Sequence, residues 1–155
     1  MKKNFHVLFV CTGNLCRSPM SEYYMRHLLE KSGVNGVDVS SCGVIAQSGE
    51  PAAENAVDVM AEEGIDMSGH LSRPITQEMA DIADLIIGME DYHKRVVTRY
   101  FKNTNEKFRM FREFCDDGRK NMDIHDPYGE MKTSYRKSFN QIKKCAYSLF
   151  AHITN

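Results

Sequence analysis

The chain has 155 residues, with 20 Lys and Arg against 21 Asp and Glu, a formal net charge of −1. That balance gives no electrostatic reason to expect nucleic acid or an anionic membrane surface as partner, and no apolar run approaches the ~20 residues that span a bilayer. The length suits one domain, residues 1–155, with a core of its own.

In chain order, Met1-Lys2-Lys3-Asn4 begins in the manner of a signal peptide. The apolar stretch behind it is short and lacks a small-residue cleavage site, so Phe5 to Phe9 is expected to be a first, buried strand. Ten residues follow, Val10-Cys11-Thr12-Gly13-Asn14-Leu15-Cys16-Arg17-Ser18-Pro19. Behind them Met20, Tyr24 and Leu28 recur with helical spacing, so the ten read as a strand-to-helix turn. Ser18 is expected as N-cap with Pro19 in the first helical position, and the helix stops at Gly33. Val37-Asp38-Val39-Ser40-Ser41 alternates as a second strand, and a small-residue loop from Cys42 to Glu50 comes next. Pro51 is expected to open a second helix, with Ala53, Ala56, Val57, Met60 and Ala61 inward and Gly64 closing it. Residues 65–75 read as loop, with a short helix after Thr76. Leu85 to Met89 is a third, buried strand. A helix from Asp91 turns Val96, Val97, Tyr100 and Phe101 inward, and Phe108 to Phe111 makes a short fourth strand. A polar, irregular segment from Arg112 to Lys132 is long enough to suggest a functional loop. The last helix is periodic at Tyr135, Phe139, Ile142, Ala146, Leu149 and Ile153. Strands alternating with helices imply a parallel sheet with helices on both faces, whose ligand sits beyond the carboxyl ends of the strands.

Strand one delivers Cys11 to that end. A helix N-terminus offers unpaired N–H groups and partial positive charge to an anion. Gly13 can take a left-handed conformation and Asn14 tolerates one, so successive N–H groups can converge as a nest. Arg17 adds a planar cation matched to two phosphate oxygens. Thr12, Gly13, Asn14, Leu15, Cys16, Arg17 and Ser18 are thus the candidate phosphate-binding residues. Cys11 lies at the floor, where dipoles and Arg17 favour its thiolate. A Cys, five residues and an Arg bring a sulfur anion beneath a bound oxyanion, ready to attack phosphorus. The five cysteines (11, 16, 42, 115 and 145) form no paired framework, which suits a reducing cytoplasm. No Cys/His set has zinc-site spacing, and neither metal nor cofactor is expected.

Cys11-Thr-Gly-Asn-Leu-Cys-Arg-Ser-Pro resembles the signature loop of the low-molecular-weight protein tyrosine phosphatases. The resemblance implies a single doubly wound, Rossmann-like, four-stranded parallel sheet, and the element order agrees with it along the chain. It also implies a cysteinyl-phosphate route, which needs a general acid at the leaving oxygen. Ile124-His125-Asp126-Pro127-Tyr128-Gly129 looks like the family's Asp-Pro-Tyr motif, with Asp126 as that acid. Asp123 and His125 remain neighbouring alternatives. Tyr128 would wall the cleft against a substrate ring. Many relatives have a second aromatic where Gly129 stands, and another in the loop after strand two, where Gln47 is the nearest position. The mouth is therefore expected to be more open.

By the same resemblance, Ser18 donates to the Cys11 thiolate, Asn14 locks the loop by bonding Ser41 and His70, and Arg73 is structural. Cys16 either forms a disulfide with an oxidised Cys11 or packs inward. Leu15 favours a phenyl ring and crowds a guanidinium, which selects phosphotyrosine. The similar protein-arginine phosphatases carry Thr there, yet the Cys-Thr-Gly-Asn opening and Ser-Cys-Gly-Val-Ile-Ala lean towards that branch. A thiol-linked arsenate reductase needs two further mid-chain cysteines, and none lies between Cys42 and Cys115. A non-catalytic phosphate-binding module needs neither nucleophile nor acid. Expected partners are tyrosine-phosphorylated proteins or peptides, with inorganic phosphate or vanadate as inhibitors.

Overall fold

The computed structural model describes residues 3–115, 118 and 120–155. Met1 and Lys2, which begin the signal-like N-terminus, lie outside the described residues, as do Asp116, Asp117 and Arg119 of the expected long loop. Four strands, β1 (Phe5–Cys11), β2 (Val37–Gly43), β3 (Leu85–Gly88) and β4 (Phe108–Met110), pair in the order β2-β1-β3-β4. All three pairings are parallel, as alternating strands and helices require. Helices α1 (Arg17–Lys31), α2 (Glu54–Glu62), α3 (Gln77–Ile82), α4 (Asp91–Tyr100) and α5 (Lys132–Thr154) complete the order.

The central strand explains the layering. Successive side chains of a strand point to opposite faces, and β1 is apolar on both. Val7, Phe9 and Cys11 join a core with α1, α2 and α5, where Phe9 meets Phe111 at 5.2 Å between ring centroids. Leu8 and Val10 face the other way, onto Ala80 of α3, Val97 of α4 and Phe108 of β4. Truncating Phe9 to Ala would cost about 3–5 kcal/mol, since a packed core collapses poorly around such a hole. From β1 the sheet grows in both directions, to β2 on one side and β3 on the other. The crevice at the carboxyl ends of β1 and β3 is the topological switch point where such folds hold ligands.

Several local expectations are corrected. α1 begins at Arg17, with Cys16 before it as cap and no side-chain capping bond. Ser18 does not cap because its hydroxyl is engaged below the helix, and Pro19 sits in the third helical position. Pro51 does not open α2. It bridges Leu71 across an antiparallel pair, which keeps the chain extended until Ala53. The buried face of α2 is Ala56, Val59 and Met60, and Ala61, expected inward, is exposed. Tyr100 ends α4 and is 68% exposed, while His93, not expected in the core, is buried. Cys115 and Cys145 are joined as a disulfide. Disulfides persist in oxidising surroundings, so cysteine usage alone no longer argues for a reducing compartment. Among the described residues, no helix is long and apolar enough to cross a membrane.

Candidate active site

β1 ends on Cys11 and α1 starts at Arg17, so residues 12–16 form the loop between them. The peptides are trans, so each N–H points away from the carbonyl it shares a bond with. The Cys11 and Thr12 carbonyls accept from Val44 N (3.0 Å) and Ile45 N (2.9 Å), and the Leu15 carbonyl accepts from Ala53 N (3.0 Å). The Asn14 carbonyl takes His70 Nε2 at 2.9 Å. With those oxygens turned outward, the N–H groups of Thr12, Gly13, Leu15 and Cys16 face inward as a concave donor set. Gly43 permits this close seating. A Cβ there would lie 2.5 Å from the Thr12 oxygen and 2.9 Å from the Asn14 nitrogen.

The left-handed residue of the loop is Asn14 (φ 58°), and Gly13 has no positive φ. Asn14 is buried and its side chain is fully engaged. Nδ2 donates to Ser18 Oγ (2.8 Å) and Ser41 Oγ (2.9 Å), and Oδ1 accepts from Arg73 N (3.1 Å). Ser41 thus meets the side chain as expected, whereas His70 meets the backbone. Arg73 also donates from Nε to the Ser41 carbonyl at 3.0 Å. Ser18 Oγ lies 2.8 Å from Cys11 Sγ and 3.3 Å from the Cys42 carbonyl. Asn14 donates to that hydroxyl, so its single proton goes either to the Cys42 carbonyl or to Cys11 Sγ, the nearer of the two.

An open cleft of about 190 Å³ stands over the loop, lined by Cys11, Thr12, Gly13, Leu15, Cys16, Arg17, Asp126 and Tyr128. Asn14, Ser18, Ser41 and His70 support the loop from behind. Gln47 does not line the cleft. It is exposed, and its carbonyl accepts from Ser72 Oγ at 2.6 Å.

The Arg17 side chain is 1% exposed and held on three sides. Nη1 donates to the Ile124 carbonyl at 2.8 Å and pairs with Glu90 Oε2 at 2.9 Å, while Nη2 lies 3.4 Å from Asp126 Oδ2. Asp126 is 44% exposed, and its Oδ1 accepts the Tyr128 N–H at 3.1 Å, which leaves Oδ2 facing Arg17. The two alternatives are occupied elsewhere. Asp123 Oδ1 accepts from Asp91 N at 2.8 Å, and His125 Nε2 bonds Glu130 Oε1 at 2.9 Å. Neither lines the cleft.

Of the two readings of Cys16, the structure has the inward packing: the residue is buried and its thiol donates to Tyr135 Oη at 3.6 Å, although it also borders the cleft. Burial, chiefly, pushes that thiol up to about 12. Cys11, Cys16 and Cys42 are free.

Two site residues were missed from sequence, Glu90 and His93. Both follow β3, and no motif marks them. The rule that ligands gather beyond strand ends, applied to β3 as well as β1, would have found Glu90.

A cleft lined by cysteine, arginine and carboxylate beyond the strand ends fits the class of phosphoric monoester hydrolases. The comparisons agree. Residues 6–155 match the family model described as low molecular weight phosphotyrosine protein phosphatase. The chain is 33% identical over 138 residues to a protein-arginine-phosphatase of Bacillus subtilis strain 168, covering 89% of each. It is 34% identical over 140 residues to the low molecular weight protein-tyrosine-phosphatase Etp of Escherichia coli K12, covering 90% of this chain and 88% of the other. Among solved structures, a YwlE arginine phosphatase mutant with a phosphorylated active-site serine superposes with TM-score 0.90 at 29% identity, covering 97% of each chain. The chain belongs to the low-molecular-weight protein tyrosine phosphatase family.

Proposed function

We propose that this protein hydrolyses phosphotyrosine in proteins or peptides, with Cys11 as nucleophile, Arg17 as phosphate clamp and Asp126 as general acid and base. The observation that carries it is the meeting of all three side chains in one cleft, with Asp126 Oδ2 3.4 Å from Arg17 Nη2. The Cys11 thiolate attacks phosphorus while the loop N–H groups and Arg17 take up charge on the phosphoryl oxygens. The bond to the phenolic oxygen breaks, and Asp126 protonates that oxygen as it leaves. Asp126, now a carboxylate, takes a proton from water. The hydroxide attacks phosphorus, the S–P bond breaks, and inorganic phosphate departs. Ser18, 2.8 Å from Cys11 Sγ, stabilises the departing thiolate. Phosphate and vanadate, as oxyanions that fit the same donors, would inhibit.

Leu15 and Tyr128 line the cleft and support an aromatic leaving group, which can pack on both. A second reading, phosphoarginine, is favoured by Thr12 and by likeness to relatives named for that activity. Side-by-side turnover of phosphotyrosine, phosphoarginine and phosphoserine peptides tests the choice. The proposal expects phosphotyrosine to be preferred; preference for phosphoarginine overturns it. We further take the chain as one phosphatase domain working in the cytoplasm; the family match over residues 6–155 supports the single domain.

A further inference from the structure

A buried polar contact joins α4 to the loop over the nucleophile. His93, in the first turn of α4, is 0% exposed. Its Nδ1 receives the Glu90 backbone N–H at 3.0 Å. An amide nitrogen can only donate, so Nδ1 carries no proton and the hydrogen of the neutral ring sits on Nε2. Nε2 lies 2.9 Å from Thr12 Oγ1 and therefore donates to it. Glu90 Oε2, at 3.8 Å from the same nitrogen, is too far for a second hydrogen bond. Burial, and after it the Arg17 charge, pushes the imidazole down to about 3, so this contact is a neutral hydrogen bond and no ion pair.

Thr12 is the first residue past the nucleophile and borders the cleft. α4 grips its hydroxyl, while its carbonyl accepts the Ile45 N–H at 2.9 Å from the loop after β2. Two elements distant in sequence thus hold one residue from two sides. The far half of the loop has its own supports in Asn14, Ser41 and His70, but these do not reach Thr12. A neutral donor suits this position: a second buried cation near Arg17 would be repelled, and an apolar side chain would leave the Glu90 N–H unpaired.

We propose that His93 is a positioning residue for the phosphatase reaction, acting through the Thr12 hydroxyl to hold the opening peptides of the loop, and hence the Thr12 and Gly13 N–H groups, in the orientation that receives phosphoryl oxygens. This rests on the phosphatase reading above. Losing the contact loosens a donor set that serves bound phosphate and transition state alike.

The test uses Thr12→Val, Thr12→Ser, His93→Phe, His93→Gln and the Val/Phe double variant. Calorimetry gives the dissociation constant of inorganic phosphate, and steady-state kinetics on an aryl phosphate give kcat and KM. Thermal unfolding is followed in parallel. Thr12→Val and His93→Phe should each weaken phosphate binding and raise KM by roughly two- to tenfold, the range for one lost neutral hydrogen bond. The double variant should be no worse than the poorer single one, because both remove the same contact. Thr12→Ser, which keeps the hydroxyl, should recover most of the loss seen in Thr12→Val, and His93→Gln, which keeps a donor, should recover part of the loss seen in His93→Phe. The proposal is overturned if Thr12→Val leaves phosphate affinity and KM unchanged, whatever happens to the melting temperature, or if the two losses multiply. Thr12→Val decides alone should His93→Phe not fold. Failure of the parent to turn over an aryl phosphate would sink the phosphatase reading instead, while phosphate affinities of the variants would still decide the part played by His93.

Discussion

Replacing Asp126 by Asn removes a transferable proton and little else. The amide oxygen can still accept the Tyr128 N–H that Oδ1 now takes at 3.1 Å, and the side chain keeps its size. What is lost is the charge 3.4 Å from Arg17 Nη2, on a side chain 44% exposed. Arg17 is buried, but it keeps its Glu90 partner at 2.9 Å, and the Asp126 end of the pair is open to water, so stability should change by about 1 kcal/mol or less. Turnover of a phenolic phosphate should fall by about 10²–10⁴, the usual share of a general acid. That corresponds to about 3–5 kcal/mol of barrier, several times the stability effect. The assay is steady-state kinetics on aryl phosphates of graded leaving-group acidity, with urea unfolding alongside. The deficit should be largest for phenyl esters and shrink as the phenol becomes more acidic. A deficit uniform across the series would mean that Asn only disturbs Arg17, and unchanged phenyl ester turnover would remove Asp126 from the chemistry.

The other predictions separate binding, redox behaviour and pH. Arg17→Ala should weaken phosphate binding at least tenfold and abolish measurable turnover, since it deletes a charged donor that the loop amides cannot replace; phosphate affinity by calorimetry checks it, and unaltered affinity refutes it. Peroxide should inactivate the enzyme reversibly through a Cys11–Cys16 disulfide, with loss of water from the sulfenic acid. Cys16→Ser should then recover poorly with thiols, and closure should be faster in alkali because the Cys16 thiol is raised to about 12. Equal recovery of the two proteins would exclude Cys16. His93, lowered to about 3 in the fold against 6.5 when exposed, binds its proton more readily in the unfolded chain. The stability it contributes is therefore present above pH 6.5 and lost as pH falls towards 3. Going from about pH 7 to about pH 5 should cost the parent about 2 kcal/mol more than His93→Gln, measured by urea unfolding; identical pH profiles would show that the imidazole is not held neutral.

Much of this is legible in the sequence because the strand-to-helix switch at Cys11–Arg17 changes the apolar period within a few residues. That change alone puts a nucleophile and a helix N-terminus at one sheet edge. What sequence hid was competition for single groups. Ser18 suits a helix cap, but in space its hydroxyl is wanted by Cys11 and Asn14 first. Gly13 looks like the residue for a left-handed turn, yet Asn14 takes it because three partners reward its side chain there. Tyr100 fits the helical period of α4 but falls on its last residue, where the chain already turns away. Glu90 and His93 belong to no motif and matter only through β3 lying beside β1. Gln47 corresponds to a cleft residue of the family only by position, and it lies exposed outside the cleft lining.

The claim at the centre is that sulfur of Cys11 carries the phosphoryl group between substrate and water. Acid quenching during turnover of an aryl phosphate, followed by mass spectrometry of the peptide containing Cys11, tests it directly. The account predicts phosphate on that sulfur in the parent, accumulation of the adduct in Asp126→Asn with a very acidic leaving group, and no turnover in Cys11→Ser, which should still bind phosphate. Turnover persisting in Cys11→Ser, or phosphate trapped on a different residue, would contradict it.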